Sequence, residues 1–443
     1  MTKNCTIGLD LGTTAFKSAP VDETGLLADP TVVSYDLDYH AGAVTFDPES
    51  YLHIATAALA GAIRSARAAG LQVTAIGISS QAQTYIPLDA HGHPMQPAIV
   101  WTDGRAVSEA QDAAQAIPDF VSHSGFRQPL PEMFMPKVRQ FTRSEGARAG
   151  DVWKYVLLNE YLIYRLTGVV YGDTTNQGMS GFYHITERRW SQAALAFAGI
   201  AAGQLAETAG AAQINHPLTA DWCRSLGIGA APVYSCGNDQ SCSAAGVGLT
   251  KADDILCNFG TAMVIYALKD NLPRELAPRQ IAGINPLTDR YFLLGLESEC
   301  GNMMDWAFRL MYSELTFTQM MEDALRMVVD TRTLPTIQIP GGGRIEIQGL
   351  NVGCERRHLV RALLDLYAQT FGELYADVSG ERRIGGSASA TRVAGGLSRS
   401  DAWLEYLSRR FGLTFKRAAS DQAALPGIAK IIERRTTVNG TSI

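Results

Sequence analysis

A short pattern occurs twice in this chain, once in each half. The first copy reads Ile7-Gly-Leu-Asp-Leu-Gly-Thr-Thr14, and the second, more than half the chain later, reads Ile255-Leu-Cys-Asn-Phe-Gly-Thr-Ala262. Each copy is an apolar strand pattern that breaks at Gly-Thr and is followed by another apolar stretch. The repeat therefore predicts two similar halves, each with a Gly-Thr turn, that face one another across a cleft.

Strand patterns alternate with helix patterns along the chain, which is typical of an α/β fold. The length of 443 residues indicates two or three domains, and the 46% of hydrophobic residues suffices for large cores. Four longer helices are predicted, over residues 48–70, 152–167, 357–378 and 400–412. Asp47 is a good cap for the first of them, and Pro48 suits its first turn. We place the domain boundary near residues 235–255.

Charge and composition exclude several classes of protein. The net charge of −6 comes without a basic stripe, so we expect no nucleic-acid partner. No run of about 20 apolar residues predicts a membrane span, and residues 1–8 lack the apolar core of a secretory signal. The seven cysteines are scattered and form no C-x-x-C pair, which favours buried thiols in a reducing, cytoplasmic protein.

The first Gly-Thr turn has the residue types of a phosphate site. A strand ends at Asp10, Gly12 lets backbone amides turn toward a ligand, and Thr13 and Thr14 add hydroxyl groups. Asp10 is suited to Mg²⁺ shared with the phosphates. No P-loop motif occurs in the chain. An ordinary hairpin turn explains this stretch equally well.

One carboxylate stands in a stretch of small residues that runs from Gly237 to Gly246. It is Asp239, which follows an apolar strand pattern and precedes a small-residue helix. A carboxylate with small neighbours can approach a ligand closely and act as a general base. The alternative is a helix cap, because Asp and Asn are favoured there.

Two further groups of residues have the types expected of ligand sites. Gln81, Gln83, Trp101, Asp103 and Arg105 supply the amides, charges and aromatic face typical of a sugar or polyol site. Polar surface loops are the alternative for these residues. The second group consists of Gly395, Gly396 and Ser398, which precede a helix and suit a flat purine with phosphates at backbone amides. An ordinary loop with a serine cap is the alternative there.

Taken in order, these segments resemble the FGGY carbohydrate kinases of the actin-like ATPase superfamily. The resemblance covers nearly the whole chain. It is carried by Ile7–Thr14, Gly77–Gln83, Pro97–Arg105, Tyr161–Gly168 with Asp173, Asn258–Ala262 and Val393–Ser400. It implies two duplicated RNase H-like domains with ATP and sugar meeting in the interdomain cleft. Residues 1–245 would form the sugar-binding domain with the first phosphate motif, and residues 246–443 a shortened ATP-binding domain.

The same resemblance implies roles for individual residues. Asp239 corresponds to the catalytic base, which would bind substrate together with Asn238, and Asp10 corresponds to the aspartate associated with Mg²⁺. The residues implied at the nucleotide are Gly12, Thr13, Thr14, Gly260 and Thr261 for phosphates and Gly395, Gly396 and Ser398 for adenosine.

The chain departs from the family pattern in its sugar loop and in its length. The loop Ser80-Gln-Ala-Gln-Thr84 has neither the Arg-Glu of glycerol kinases nor the Met-His of xylulokinases. We place the missing length between Trp306 and Gly349. We expect ATP-dependent phosphorylation of a small sugar or polyol, pentulose-like, by a possible homodimer. The alternatives are a catalytically weak sugar- or nucleotide-sensing protein derived from this fold, and an actin-like or chaperone-type ATPase.

Overall fold

The computed structural model describes eight stretches of the chain. They are residues 2–260, 262–298, 300–312, 314–328, 333–341, 344–380, 391–420 and 422–438.

Among the described residues, sixteen strands lie in the first half of the chain and eight in the second. Those of the first half are β1 (Lys3–Leu11), β2 (Ala15–Asp22), β3 (Gly25–Leu26), β4 (Thr31–Ser34), β5 (Asp38–His40), β6 (Ala43–Phe46), β7 (Leu71–Ser80), β8 (Tyr85–Leu88), β9 (Ala98–Ile99), β10 (Lys154–Leu157), β11 (Tyr171–Asp173), β12 (Tyr183–His184), β13 (Arg189–Trp190), β14 (Glu207–Ala209), β15 (Asn215–Pro217) and β16 (Pro232–Asn238). Those of the second half are β17 (Ile255–Phe259), β18 (Met263–Lys269), β19 (Gln280–Ile284), β20 (Tyr291–Glu297), β21 (Thr336–Gly341), β22 (Arg344–Gln348), β23 (Thr391–Ala394) and β24 (Phe415–Arg417).

Helices separate these strands. The α-helices are α1 (Pro48–Ala68), α2 (Val107–Ala116), α3 (Phe120–Ser124), α4 (Phe134–Glu145), α5 (Leu158–Thr167), α6 (Thr174–Gly178), α7 (Gln192–Ala198), α8 (Ala220–Leu226), α9 (Asp239–Gly246), α10 (Gly301–Met311), α11 (Phe317–Arg326), α12 (Arg356–Ser379), α13 (Asp401–Phe411) and α14 (Ala424–Val438). Short 3₁₀ helices cover Gly146–Asp151, Ala202–Gln204 and Gly396–Arg399. No helix among the described residues combines the length and apolar character that a membrane crossing needs.

The two large sheets have the same core topology, which confirms the predicted duplication of an α/β unit. In the first sheet, β1 pairs antiparallel with β2 and parallel with β7, and β7 pairs parallel with β16. In the second, β17 pairs antiparallel with β18 and parallel with β23, which pairs parallel with β24. The strand–turn–strand units at the two Gly-Thr patterns are thus equivalent parts of two sheets.

The final helix, α14, crosses back from the second half to the first. It packs on β1, β2, β7 and on α9. Its buried Leu425, Ile428 and Ile432 share a core cluster with Val21 and Cys236 of the first sheet. The first sheet is therefore covered on this face by the end of the chain, while the division at residues 245 and 246 stays a prediction.

The predicted helices agree with the structure except in one place. Asp47 caps α1 as expected, since its Oδ2 accepts a hydrogen bond from the amide of Ser50 at 2.8 Å. The prediction of a helix over 152–167 is wrong in its first part, because Lys154–Leu157 is a strand. That strand pairs antiparallel with Tyr85–Leu88, and tertiary pairing has overridden the helical spacing.

The cysteines behave as the composition predicts. All seven are free thiols, and five of them are buried.

Candidate active site

Three parallel strands of the first sheet bring the predicted carboxylates to one edge. Asp10 on β1 pairs with Ser79 on β7, and the neighbouring Ser80 pairs with Asn238 on β16. Asp239 follows directly at the start of α9. Because the carboxyl ends of parallel strands form the ligand-binding edge of an open α/β sheet, these residues stand where a site is expected.

Asp10 is buried at this edge, with 9% of its surface exposed. The Ser79 hydroxyl donates a hydrogen bond of 2.5 Å to its Oδ1. Burial raises the pKa of Asp10 above its ordinary value, although this hydrogen bond and the charge of Lys17 act in the opposite direction. The carboxylate is thus poorly neutralised by the protein and is suited to a cation.

The structure separates the two interpretations of Asp239. The cap of α9 is Asn238, whose Oδ1 accepts a hydrogen bond from the amide of Ser241 at 2.8 Å. Asp239 accepts from the amide of Gln240 at 2.8 Å. Burial and then the charge of Asp10 raise the pKa of Asp239 to about 7. A carboxylate that is not the cap and whose pKa lies near neutrality is fit to act as a general base.

A second buried aspartate fixes the approach to Asp239. Asp173 is fully buried and accepts hydrogen bonds from the Ser235 hydroxyl at 2.5 Å and from the amide of Gly237 at 3.2 Å. Gly237 has φ +101°, a conformation that favours glycine, and a Cβ there would lie 3.2 Å from Pro286. Asp173 therefore holds the bend that directs Asn238 and Asp239 toward the sheet edge.

The first Gly-Thr turn lies against the predicted sugar segments. The Tyr35 hydroxyl donates to the carbonyl of Gly12 at 2.7 Å, and the Tyr35 amide donates to the carbonyl of Thr14 at 3.1 Å. The indole of Trp101 donates to the Thr13 hydroxyl at 2.9 Å. Thr14 is exposed. The turn is thus anchored by Tyr35 and is joined to Trp101, one of the residues predicted for the sugar site.

Gln81 and Gln83 occupy the same loop but have different surroundings. The Gln81 carboxamide is buried near the hydroxyl groups of Tyr35 and Tyr51, yet it makes no hydrogen bond of ordinary geometry to any described residue. The Gln83 carboxamide accepts from the amide of Phe134 at 2.8 Å and donates to the carbonyl of Met179. The amide group of Gln81 therefore faces two tyrosine hydroxyl groups without an ordinary hydrogen bond, whereas Gln83 is engaged in holding the loop.

Asp103 and Arg105 form one unit beside Trp101. Asp103 is buried and accepts hydrogen bonds from Arg105 Nε at 2.9 Å and from the amide of Val44 at 2.9 Å. Burial pushes the pKa of Asp103 up, but these hydrogen bonds outweigh it and leave that pKa below its ordinary value. Arg105 is exposed. Asp103 thus orients Arg105, which is the member of the pair that can meet a ligand.

In the second sheet, the segment predicted for adenosine lies against the second Gly-Thr turn. Asn258 on β17 pairs with Ala394 on β23. Gly395 follows with φ +87°, and a Cβ there would lie 2.5 Å from the carbonyl carbon of Phe259. The Ser398 hydroxyl donates to the carbonyl of Gly395 at 2.7 Å, so its contact is with the loop itself.

Two more residues predicted to bind the nucleotide, Gly260 and Gly396, have open space beside their backbone. Apart from the adjoining backbone, no described atom comes within 4 Å of a Cβ built on Gly396, and only atoms at 3.7 Å or beyond approach one built on Gly260. Backbone without side chains at these positions leaves room for a ligand to approach closely. Thr261, predicted to contact phosphate, lies outside the described residues.

Comparison with known proteins assigns the sequence to a family. The sequence model described as the FGGY family of carbohydrate kinases, N-terminal domain, matches residues 5–246, which is more than half of the chain. The chain belongs to the FGGY family of carbohydrate kinases. As a member of this family it is a phosphotransferase, and the resemblance of its motifs to that family is confirmed.

Relatives of this carbohydrate kinase match it over most of its length. A xylulose kinase of Bacillus subtilis is 23% identical over 436 residues, covering 96% of the chain and 87% of the relative. A xylulose kinase of Escherichia coli is 25% identical over 310 residues, covering 69% of the chain and 62% of the relative. Among solved structures, a ligand-bound xylulose kinase from Lactobacillus acidophilus superposes with a TM-score of 0.84 at 21% identity, covering 99% and 90% of the two chains. The fold of the kinase is thus that of the solved family members.

The donor set of the kinase fits a hard cation with few protein ligands. Among the described residues, no group of three or more His, Cys, Asp or Glu side chains is arranged for a metal ion. Asp10 and Asp239 nevertheless lie close enough for the charge of one to raise the pKa of the other. Mg²⁺ commonly takes one or two carboxylates and completes its shell with water and phosphate oxygens. The residues present therefore suit Mg²⁺ brought in with a nucleotide.

The sequence analysis did not single out one buried residue that contacts the predicted sugar segments. Lys137 is buried beneath the sugar segments and contacts the backbone of both. The available signal was a single lysine within the apolar stretch from Phe134 to Phe141.

Proposed function

We propose that this kinase transfers the γ-phosphoryl group of ATP to a hydroxyl group of a small sugar or polyol, with pentuloses as the first candidate acceptors. The observation that carries the proposal is the placement of Asp10 and Asp239 at one sheet edge, with the pKa of Asp239 raised to about 7. Several relatives that match most of the chain are named xylulose kinase, which supports a five-carbon ketose as acceptor. Another relative, from Bacillus subtilis, is named gluconokinase, so aldonic acids belong in the test panel.

The residues divide into a base, a cation ligand and two binding sets. Asp239 is the base, and Asp10 would hold Mg²⁺, which when bound neutralises charge on the phosphates. Gln81, Trp101, Arg105 and Asn238 would bind the acceptor, with Gln83 and Asp103 supporting them. The residues proposed for the nucleotide are Gly12, Thr13, Thr14, Gly260, Thr261, Gly395, Gly396 and Ser398.

The proposed chemistry balances with the residues at hand. Asp239 takes the proton of the acceptor hydroxyl as its oxygen forms a bond to the γ-phosphorus and the bond to the bridging oxygen of ADP breaks. The Gly-Thr turn of the first sheet orients the phosphates through backbone amides and the hydroxyl groups of Thr13 and Thr14. Asp10 is buried and Asp239 is half-buried, and the low exposure of this edge strengthens the electrostatic interactions within the site. A general base contributes ~10²–10⁴-fold to such a reaction.

A coupled assay of ADP release tests the proposal and its rivals. The wild-type protein is offered ATP and Mg²⁺ with pentuloses, pentitols, glycerol, hexoses or aldonic acids, beside Asp239→Asn and the exposed-carboxylate control Asp221→Asn. We expect release that depends on one class of acceptor, a loss of ~10²-fold or more in Asp239→Asn, and wild-type rates in Asp221→Asn. ATP binding without release for any acceptor would favour the sensing protein. Release that ignores the acceptor would favour an ATPase.

A further inference from the structure

We propose that Lys137 is a positioning residue of the acceptor site, which ties together the two segments that carry Gln81 and Trp101. The inference rests on the proposed function, because it concerns how the acceptor is held. It assigns Lys137 no contact with substrate.

The position of Lys137 is defined by two hydrogen bonds to backbone. Its side chain is buried, with 1% exposure, and lies on α4. Its Nζ donates to the carbonyl of Gln83 at 3.0 Å and to the carbonyl of Val100 at 3.0 Å. These carbonyls belong to different segments, one in the loop after β7 and the other directly before Trp101. One side chain thus fixes the spacing between the two halves of the acceptor site.

The same helix holds Gln83 a second time. The amide of Phe134, the first residue of α4, donates to Gln83 Oε1 at 2.8 Å. Gln83 has φ +70°, which side-chain-bearing residues rarely adopt and which persists when the surroundings enforce it. Lys137 lies one helical turn later and holds the carbonyl of the same residue. Helix α4 therefore holds this loop in place through two hydrogen bonds to Gln83.

The electrostatics of Lys137 indicate a residue kept at a cost in stability. Burial lowers the pKa of Lys137 to about 7, although Asp103 and Glu132 raise it and Arg105 lowers it further. Within the described part of the chain, its hydrogen bonds go to carbonyl groups rather than to a carboxylate. A buried lysine without a bonded counter-charge is unfavourable for folding. Groups of this kind are concentrated at functional sites.

Trp101 also contacts the first Gly-Thr turn, but two hydrogen bonds from Tyr35 hold that turn independently of Lys137. The backbone amide of Trp101 donates to the Thr84 hydroxyl at 3.0 Å, and its indole donates to the Thr13 hydroxyl at 2.9 Å. Lys137 holds the carbonyl of Val100, the residue directly before Trp101. A misplacement of about 1 Å in a binding group is enough to cost a reaction ~10²-fold.

The chain offers a control for the test in Lys154, which is half-buried. Lys154 also donates from Nζ to two carbonyl groups, those of Gly203 and Leu205, both at 2.7 Å. It lies at the far end of the β8–β10 pairing, opposite Leu88 and away from the acceptor residues. Lys137→Met and Lys154→Met therefore remove the same kind of group from two places, of which only one supports the site.

The experiment combines amide hydrogen exchange with steady-state kinetics. We expect Lys137→Met to speed exchange at residues 81–84 and 100–105, raise the acceptor KM by about 10-fold or more, and change the ATP KM by less than about 2-fold. Lys154→Met should leave all three at wild-type values. Circular dichroism and Tm establish whether each variant is folded. If Lys137→Met does not fold, the same measurements are made on Lys137→Gln, which retains one donor group.

The outcomes separate the inference from the proposed function. Wild-type exchange and wild-type acceptor KM in Lys137→Met would overturn the positioning role, as would an equal rise in the ATP KM or the same changes in Lys154→Met. Absence of acceptor-dependent ADP release in the wild-type protein would instead refute the proposed function. In that case the exchange pattern still decides whether Lys137 fixes the two segments.

Discussion

The pH dependence of catalysis should follow the ionisation of Asp239. Burial and the charge of Asp10 raise the pKa of the Asp239 carboxyl from an ordinary 3.8 to about 7. Only the ionised form can accept a proton, so kcat/KM should fall about tenfold for each pH unit below that value. The acid limb of the profile is therefore expected near pH 7 rather than near pH 4.

Substitution of Asp10→Asn tests the electrostatic part of this reasoning. Asp239 directly follows Asn238 on β16, which lies two strand spacings from the strand of Asp10. This distance is roughly 10 Å. At an effective dielectric constant of about 20, the repulsion over that distance is ~1.7 kcal/mol, or about one pH unit. The acid limb should thus move down by about one pH unit in Asp10→Asn, while burial keeps it above the ordinary value.

The position of the limb is measured rather than its height, because Asp10→Asn also removes the proposed Mg²⁺ ligand. Profiles of kcat/KM between pH 5 and pH 9 are compared for the wild-type protein, Asp10→Asn and the control Asp221→Asn. A carboxyl ¹³C titration of Asp239 by NMR gives the same pKa without catalysis. An unmoved titration in Asp10→Asn, or an equal shift in Asp221→Asn, would refute the coupling between the two carboxylates.

Three other predictions concern stability and nucleotide binding. Between pH 4 and pH 7 the folded protein holds a proton at Asp239 that the unfolded chain has lost, so the free energy of unfolding falls as the pH rises through this range. Asp239→Asn should therefore raise the free energy of unfolding by roughly 2–4 kcal/mol at pH 8. A denaturant titration that shows the same gain at pH 4 would contradict this. Gly395→Ala should weaken ATP binding at least ~10-fold in calorimetry, because its Cβ would meet the backbone of Phe259, whereas Gly412→Ala, equally left-handed but with open surroundings, should keep wild-type affinity. Arg435→Ala should lower the free energy of unfolding by ~1–3 kcal/mol through lost bonds to backbone carbonyls of both halves, and an unchanged thermal transition would argue against it.

Local patterns predicted the parts of the fold that local physics determines. The Gly-Thr turns, the cap of α1 and the span of α12 all follow from propensity, periodicity or a single hydrogen bond. The helix predicted for residues 154–157 is wrong because their apolar spacing is also compatible with a strand. Pairing with Tyr85–Leu88 decided between the two, and that partner lies more than 60 residues away in sequence.

The same distinction applies to the site. Asp10 and Asp239 are predicted from the sequence because one lies near the end of a strand pattern and the other directly after one, each beside small residues. The choice between base and cap for Asp239 needed the structure, since Asn238 one residue earlier is an equally good cap. Lys137 and Asp173 act through atoms that are distant in sequence, so no local pattern shows which carbonyls or amides they meet.

The return of α14 to the first sheet affects the order in which the chain can fold during synthesis. The sheet is complete once Asn238 has been made, but the helix that covers one face begins only at Ala424. At a synthesis rate of roughly 5–20 residues per second, that face waits on the order of 10–40 s for its cover. An N-terminal fragment expressed alone would keep Val21 and Cys236 without their helical partner. A stable half-molecule should therefore require residues 424–438 supplied in cis or as a peptide.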